Sequence, residues 1–260
     1  MNIHRDVNLA RKAYKKKDIE LMKRAHDSKE IHKTERGKYL RSWIWGGLDG
    51  VVTTFAVVAG VAGASLSSTI VLILGFANLI ADGISMAVGD YLSTKSEKEY
   101  YDLERERETW EVKNYPKGER DEMLEVYTKK GYSQKEANKL VNILSKNKKF
   151  WIDTMMHEEL GLMHENESPK KNAIFTFISF LIFGFIPLLI YVLGSIFNFT
   201  INRGFLYASI LSGSAMFLLG SVKTKITGKK WYKSGFETLL IGGIAATAAY
   251  FVGDILARIL

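Results

Sequence analysis

Four residues with reactive side chains sit where the chain is otherwise apolar. Asp49 lies in Gly46-Gly47-Leu48-Asp49-Gly50, and Asp82, Met86 and Asp90 follow at a spacing of four. On an α-helix that spacing drifts by about 40° per step, so the three share roughly one face. An ionised carboxylate in hydrocarbon costs at least about 2.5 kcal/mol, so such an acid normally faces a pathway or a partner. No Lys or Arg lies in either apolar stretch. The acids therefore need a cation, protons or water. Met86 adds a thioether, and thioether plus carboxylate suits a borderline transition metal such as Fe2+ better than Mg2+ or Ca2+, which prefer all-oxygen shells. The plainer alternative makes Asp90 an interfacial residue, lets Asp82 cap polar neighbours such as Asn78, and leaves Met86 to packing.

A second group lies in a charged stretch. Glu108/Glu111 and Glu119/Glu122 are carboxylate pairs at i, i+3, each on one helix face, and Met155-Met156-His157-Glu158-Glu159 follows. Like charges at that spacing destabilise a helix, and a bound cation relieves the repulsion. A solvated face is the ordinary reading of Glu among Lys and Arg. The Met-Met step favours metal, because exposed methionines otherwise gain little. His157 and His164 read as incidental surface histidines. The stretch contains no Glu-x-x-His, which weighs against a ferritin-type di-iron oxidase.

The elements that must position these residues follow from composition. The chain has 260 residues and a net charge of +8. It has three prolines and no cysteine, which excludes disulfides, cysteine-metal sites and thiol catalysis. Its mean hydropathy of −0.03 hides strong segregation. Residues 93–172 hold 16 Lys/Arg and 17 Asp/Glu, whereas 173–197 and 238–252 hold no charge. A single soluble domain is excluded. Apolar runs of about 20 residues predict five membrane spans, at 43–66, 69–92, 173–196, 204–222 and 236–256. Ser67-Ser68 is the expected outer turn, and Pro187 a kink in the third span.

Charge sets the expected orientation. Segments 1–42, 93–172 and 223–235 carry 13, 16 and 5 Lys/Arg, while the three opposite ends carry only Arg203 and Arg258. The positive-inside rule puts the N-terminus and both basic connections in the cytosol and the C-terminus on the luminal side. Trp43, Trp45, Tyr91 and Trp231 lie near the cytosolic boundaries. Asn198-Phe199-Thr200 is a glycosylation sequon close to the opposite face. Residues 1–42 form a basic arm with the spacing of a surface helix, too long and polar for a signal peptide.

The fold expected is thus an all-α integral membrane protein. Residues 43–92 hold spans 1–2, 93–172 a cytosolic acidic helical domain that binds metal, and 173–260 spans 3–5. Within 93–172, Lys95 to Val112 continues the second span as one long helix. Tyr115-Pro116-Lys117-Gly118 reads as a turn, and 119–130 as a second helix ended by Gly131. Ser133 caps a third helix with Glu136 at the capping-box position, and 147–162 forms a fourth.

Several motifs together resemble the vacuolar iron transporter family, proton-coupled exporters of Fe2+ from cytosol into an acidic store. They are Gly47-Leu48-Asp49-Gly50-Val51-Val52-Thr53-Thr54, Ser85-Met86-Ala87-Val88-Gly89-Asp90, the acidic insert with Met155-Met156-x-x-Glu159, Pro187-Leu188, and Ser234-Gly235-x-Glu237 with Gly242-Gly243. The likeness covers about residues 36–258. It implies a transmembrane metal site at Asp49 and Met86, and a cytosolic one at Glu108, Glu111, Glu119, Glu122, Met155, Met156 and Glu159. Asp82 and Asp90 would belong to the proton or metal path. Some family members carry an acid where this chain has Asn78, and Glu is common where it has Asp90. The likeness further implies a homodimer in a vacuolar or other acidic-compartment membrane. Its partners would be Fe2+, protons and the bilayer, with no nucleic acid and no prosthetic group. It would be a carrier and not an enzyme. Mn2+, Zn2+, Co2+ or Ca2+ as cargo, a membrane-anchored iron-binding protein, and a non-transporting scaffold are the alternatives.

Overall fold

The computed structural model describes residues 7–27, 39–163, 167–197, 203–224 and 229–260. His164 and the sequon at Asn198 lie outside the described residues. All regular structure among the described residues is helical. The helices are α1 (Val7–Lys16), α2 (Ile19–Asp27), α3 (Leu40–Gly63), α4 (Ser68–Asn114), α5 (Pro116–Lys129), α6 (Gln134–Leu144), α7 (Lys148–Glu158), α8 (Pro169–Gly184), α9 (Leu189–Ile196), α10 (Gly204–Val222) and α11 (Trp231–Ile259), with a 3-10 turn at Ile186–Leu188. Five helical segments are long and apolar enough to cross a membrane: α3, α4, α8 continued through α9, α10 and α11.

The chain divides into two compact units, Met1–Gly83 with Phe175–Leu260, and Ile84–Ile174. In the first, α3 packs on α10 and α11, which also pack on each other. It meets α8 through glycines. A Cβ on Gly46 would lie 2.5 Å from the Thr176 carbonyl oxygen, and one on Gly50 would lie 2.5 Å from that of Phe180. The Gly46/Gly50 pair therefore closes a helix contact within the chain. Ser179 adds a hydrogen bond from its hydroxyl to the Trp43 carbonyl. Pro187 sits in the 3-10 turn that separates α8 from α9, so the expected kink is a short break in helix type.

The second unit is a small bundle with its own core. Val112, Met123, Val141, Trp151, Ile152, Met155 and Met156 are buried together, flanked by Tyr101, Leu124, Tyr127, Leu144, Leu160 and Leu162. Helix α4 runs unbroken for 47 residues. At 1.5 Å per residue this is about 70 Å, more than twice a hydrocarbon core. Its apolar sequence ends near Leu92, and the turns beyond carry the charged residues. The cap of α6 is as the sequence reads: the Ser133 hydroxyl accepts from the Glu136 amide, and the Glu136 carboxylate accepts from the Ser133 amide.

Several boundaries differ from the sequence reading. The arm contains two helices, because Lys17 takes a left-handed φ of 55° and Asp18 caps α2, accepting from the Leu21 amide. The outer turn falls at 64–67, where Ser65 is left-handed, and Ser68 already begins α4. Residues 116–118 are helix, not turn. Pro116 has no N–H to lose and a φ suited to the first helical position, so only Tyr115 separates α4 from α5. Helix α7 stops at Glu158 because Gly161, at φ 68°, turns the chain and lets the Leu162 amide close onto the Met156 carbonyl. Helix α11 begins at Trp231, five residues before the expected span.

Candidate metal centre

In the second unit, α4 and α5 bring three carboxylates together. An oxygen from each of Glu108, Glu111 and Glu119 lies within 4.8 Å of the others. Glu108 is 1% exposed and Glu119 3%. The Oε2 atoms of both are buried without a hydrogen-bond partner. Buried acceptors of this kind normally cost free energy unless a donor, proton or cation meets them.

The electrostatics follow. Burial, then repulsion from Glu159, Glu111 and Glu122, outweighs Arg107 and pushes the Glu108 carboxyl up to about 7. Burial and the surrounding acids, led by Glu108, push Glu119 up to about 8. Burial also raises Glu159, with Glu122 adding to it. Near neutral pH the cluster thus holds protons that a cation would displace.

The other sequence candidates fall in different places. Glu122 and Glu159 are exposed, yet their charges are felt by the buried pair. Met155 and Met156, each 1% exposed, are in the apolar core. The premise that the Met-Met step is exposed does not hold, because both methionines are buried. His157 is exposed and its Nδ1 lies 3.2 Å from Glu158.

Arg107 is the residue that spacing alone did not single out. Its guanidinium lies 2.8 Å from Glu104, 3.0 Å from Glu108 and 3.2 Å from Glu111. The clue was present: acids at i−3, i+1 and i+4 surround it on α4. Arg105 pairs with Asp153 of α7 at 2.6 Å, and Lys130 pairs with Glu158, so further ion pairs brace this bundle.

In the first unit, Asp49 is half-buried on α3 between Gly46 and Gly50, and its carbonyl accepts from the Thr53 hydroxyl. Asp82 is also half-buried. The Nδ2 of Asn78 is buried without a partner, so no hydrogen bond from it caps Asp82. Met86 and Asp90 follow Asp82 on α4 within the second unit, both half-buried.

The VIT family model matches residues 40–254. A vacuolar iron transporter of Toxoplasma gondii is 41% identical, the match covering 97% of this chain and 89% of that protein. One from Plasmodium falciparum is 36% identical over 95% of each chain. Vacuolar iron transporter 1 of Arabidopsis thaliana is 38% identical over 86% of this chain and 90% of its own. The chain belongs to the VIT family. The VIT match begins at the first residue of α3 and ends five residues before the last residue of α11. It therefore takes in both the acids of the apolar helices and the Glu108–Glu111–Glu119 cluster, and leaves α1 and α2 outside.

Proposed function

We propose that the protein is a proton-coupled antiporter that moves Fe2+ from the cytosol into an acidic store. The observation that carries this reading is the buried Glu108/Glu119 pair, with one oxygen of each left without a partner and Glu111 beside them. A divalent cation satisfies both oxygens and removes the repulsion between them. The names of the relatives support iron as cargo and a vacuolar membrane as the location. The positive-inside distribution supports a cytosolic N-terminus, a cytosolic bundle at 93–172 and a luminal C-terminus.

In this reading Glu122 and Glu159, exposed beside the pair, draw cations by local charge. Glu108, Glu111 and Glu119 exchange protons for the metal, and Met155 and Met156 are soft ligands of the same centre. Asp49 and Met86 pass the ion across the bilayer, with Asp82 and Asp90 on the same route. Protons returning from the acidic side compete for the same carboxylates, which couples the two flows. Two copies of the chain form the transporting unit.

One observation favours a second cargo. With Met155 and Met156 in the core, the clustered donors are all oxygen, a set that suits Mn2+ as well as Fe2+. The test is uptake of both metals by proteoliposomes carrying wild-type protein, Asp49→Ala, and Glu108→Gln/Glu119→Gln. Loss of uptake in Asp49→Ala, with a raised half-saturating concentration in the double variant, supports the reading. Unchanged uptake in both variants overturns it. The ratio of Fe2+ to Mn2+ uptake decides the cargo.

A further inference from the structure

Helices α1 and α2 form a small hairpin that precedes the region matched by the family model. The two helices pack on each other and bury Ala10, Ala13 and Ala25. Their connection turns at Lys17, left-handed at φ 55°, and is fixed by the Asp18 cap on α2. That turn presents two large apolar side chains to solvent, Tyr14 at 65% exposure and Ile19 at 73%. Exposed Lys12, Lys15, Lys16 and Lys17 stand on the Tyr14 side of the turn, with the Lys17 ammonium over the Tyr14 ring, 4.0 Å from its centroid, and exposed Asp18 and Glu20 flank Ile19. No acid occurs between Val7 and Lys17.

An exposed aromatic and an exposed β-branched residue beside four lysines match the layered chemistry of an anionic membrane surface. The ammonium groups meet headgroup phosphates, and the apolar pair enters the boundary of the acyl chains. Charge argues for lipid over the helical unit of the same chain, because residues 93–172 are nearly balanced at 16 bases and 17 acids. Reach also fits. Residues 28–39 join α2 to α3, and 12 residues span at most about 40 Å, so the tip is tethered beside the bilayer that holds α3. We infer that the α1–α2 hairpin docks its tip, through Tyr14, Ile19 and the neighbouring lysines, on anionic phospholipid of the membrane in which the protein sits. The inference rests on α3 being a span and on nothing about the ion carried.

The absence of native cysteine gives a direct test. Full-length Ile19→Cys is labelled with an environment-sensitive fluorophore and placed in nanodiscs of neutral phosphatidylcholine, or of phosphatidylcholine with 30% phosphatidylserine. Docking predicts a blue-shifted emission and at least a threefold lower quenching constant for acrylamide in the anionic discs. Both changes should be lost in 0.5 M NaCl and when Lys12, Lys15, Lys16 and Lys17 are changed to Glu. Equal quenching in neutral and anionic discs overturns the inference, as does protection that survives the charge reversal. Metal uptake by the labelled protein, measured in parallel, separates this outcome from failure of the transport reading.

Discussion

The guanidinium of Arg107 lies 3.0 Å from one carboxylate oxygen of Glu108, while the other oxygen of Glu108 is buried with no hydrogen-bond partner. One side of the carboxylate is thus served by a fixed cation and the other is free for an ion. Arg107 also reaches Glu111, so a metal bound at the cluster would have to compete with it for two of the three acids. Changing Arg107 to Gln should lower the stability of the metal-free protein and tighten binding of Fe2+ or Mn2+ about three- to tenfold at pH 7. Titration calorimetry on the purified full-length protein checks this, and weaker binding would make Arg107 a positioning residue instead.

Stability should depend on pH in a direction opposite to that of ordinary salt-bridged carboxylates. Glu108 and Glu119 rise from 4.5 to about 7 and about 8 on folding. The folded state therefore holds their protons more tightly than the unfolded one. Their penalty is absent below about pH 4.5, grows as pH rises, and is complete above about 8. The unfolding temperature of the second unit should fall over that window in metal-free protein. Saturating Fe2+ or Mn2+ should flatten the fall, as followed by intrinsic Trp fluorescence.

Glu119→Gln separates stability from binding. The amide keeps the shape and removes a buried charge. At pH 8 the metal-free variant should unfold at a higher temperature than the wild-type protein, because burial of the Glu119 charge no longer opposes folding. Metal affinity should drop at least tenfold. A variant that binds metal normally would remove Glu119 from the site.

The methionines offer a matched pair of substitutions. Met155→Leu keeps core volume, and Met155→Ala should cost about 2–5 kcal/mol in the core formed with Val112, Met123 and Trp151. If Met155 only packs, the Leu variant binds metal with unchanged affinity. If the thioether is a ligand, Met155→Leu loses affinity while its unfolding temperature holds.

Much of this architecture could be read from residue order alone, for identifiable reasons. Long apolar runs define the five membrane-length helices because hydrocarbon tolerates few charges, and Pro187 marks its own break. Ser133 and Glu136 sit at the fixed spacing of a capping box, so their hydrogen bonds follow from local rules. The pairing of Glu108 and Glu111 is equally local. Their meeting with Glu119 depends on how α4 and α5 come together after Tyr115, a tertiary fact. Burial of Met155 and Met156 has the same origin, because a short charge-rich helix gives no period that separates a core methionine from an exposed one. The break at Lys17 was hidden since a left-handed lysine has no sequence signature, unlike Gly131 or Gly161.

The most direct measurement is Fe2+ uptake into proteoliposomes of the wild-type protein, with the metal kept reduced and the interior held either at pH 5.5 or at the outside pH. The account predicts uptake that rises with the inward-acid gradient and collapses when the gradient is dissipated by a protonophore. Fe2+ binding to the protein without gradient-dependent uptake would contradict it, and would leave a membrane-anchored iron-binding protein in its place.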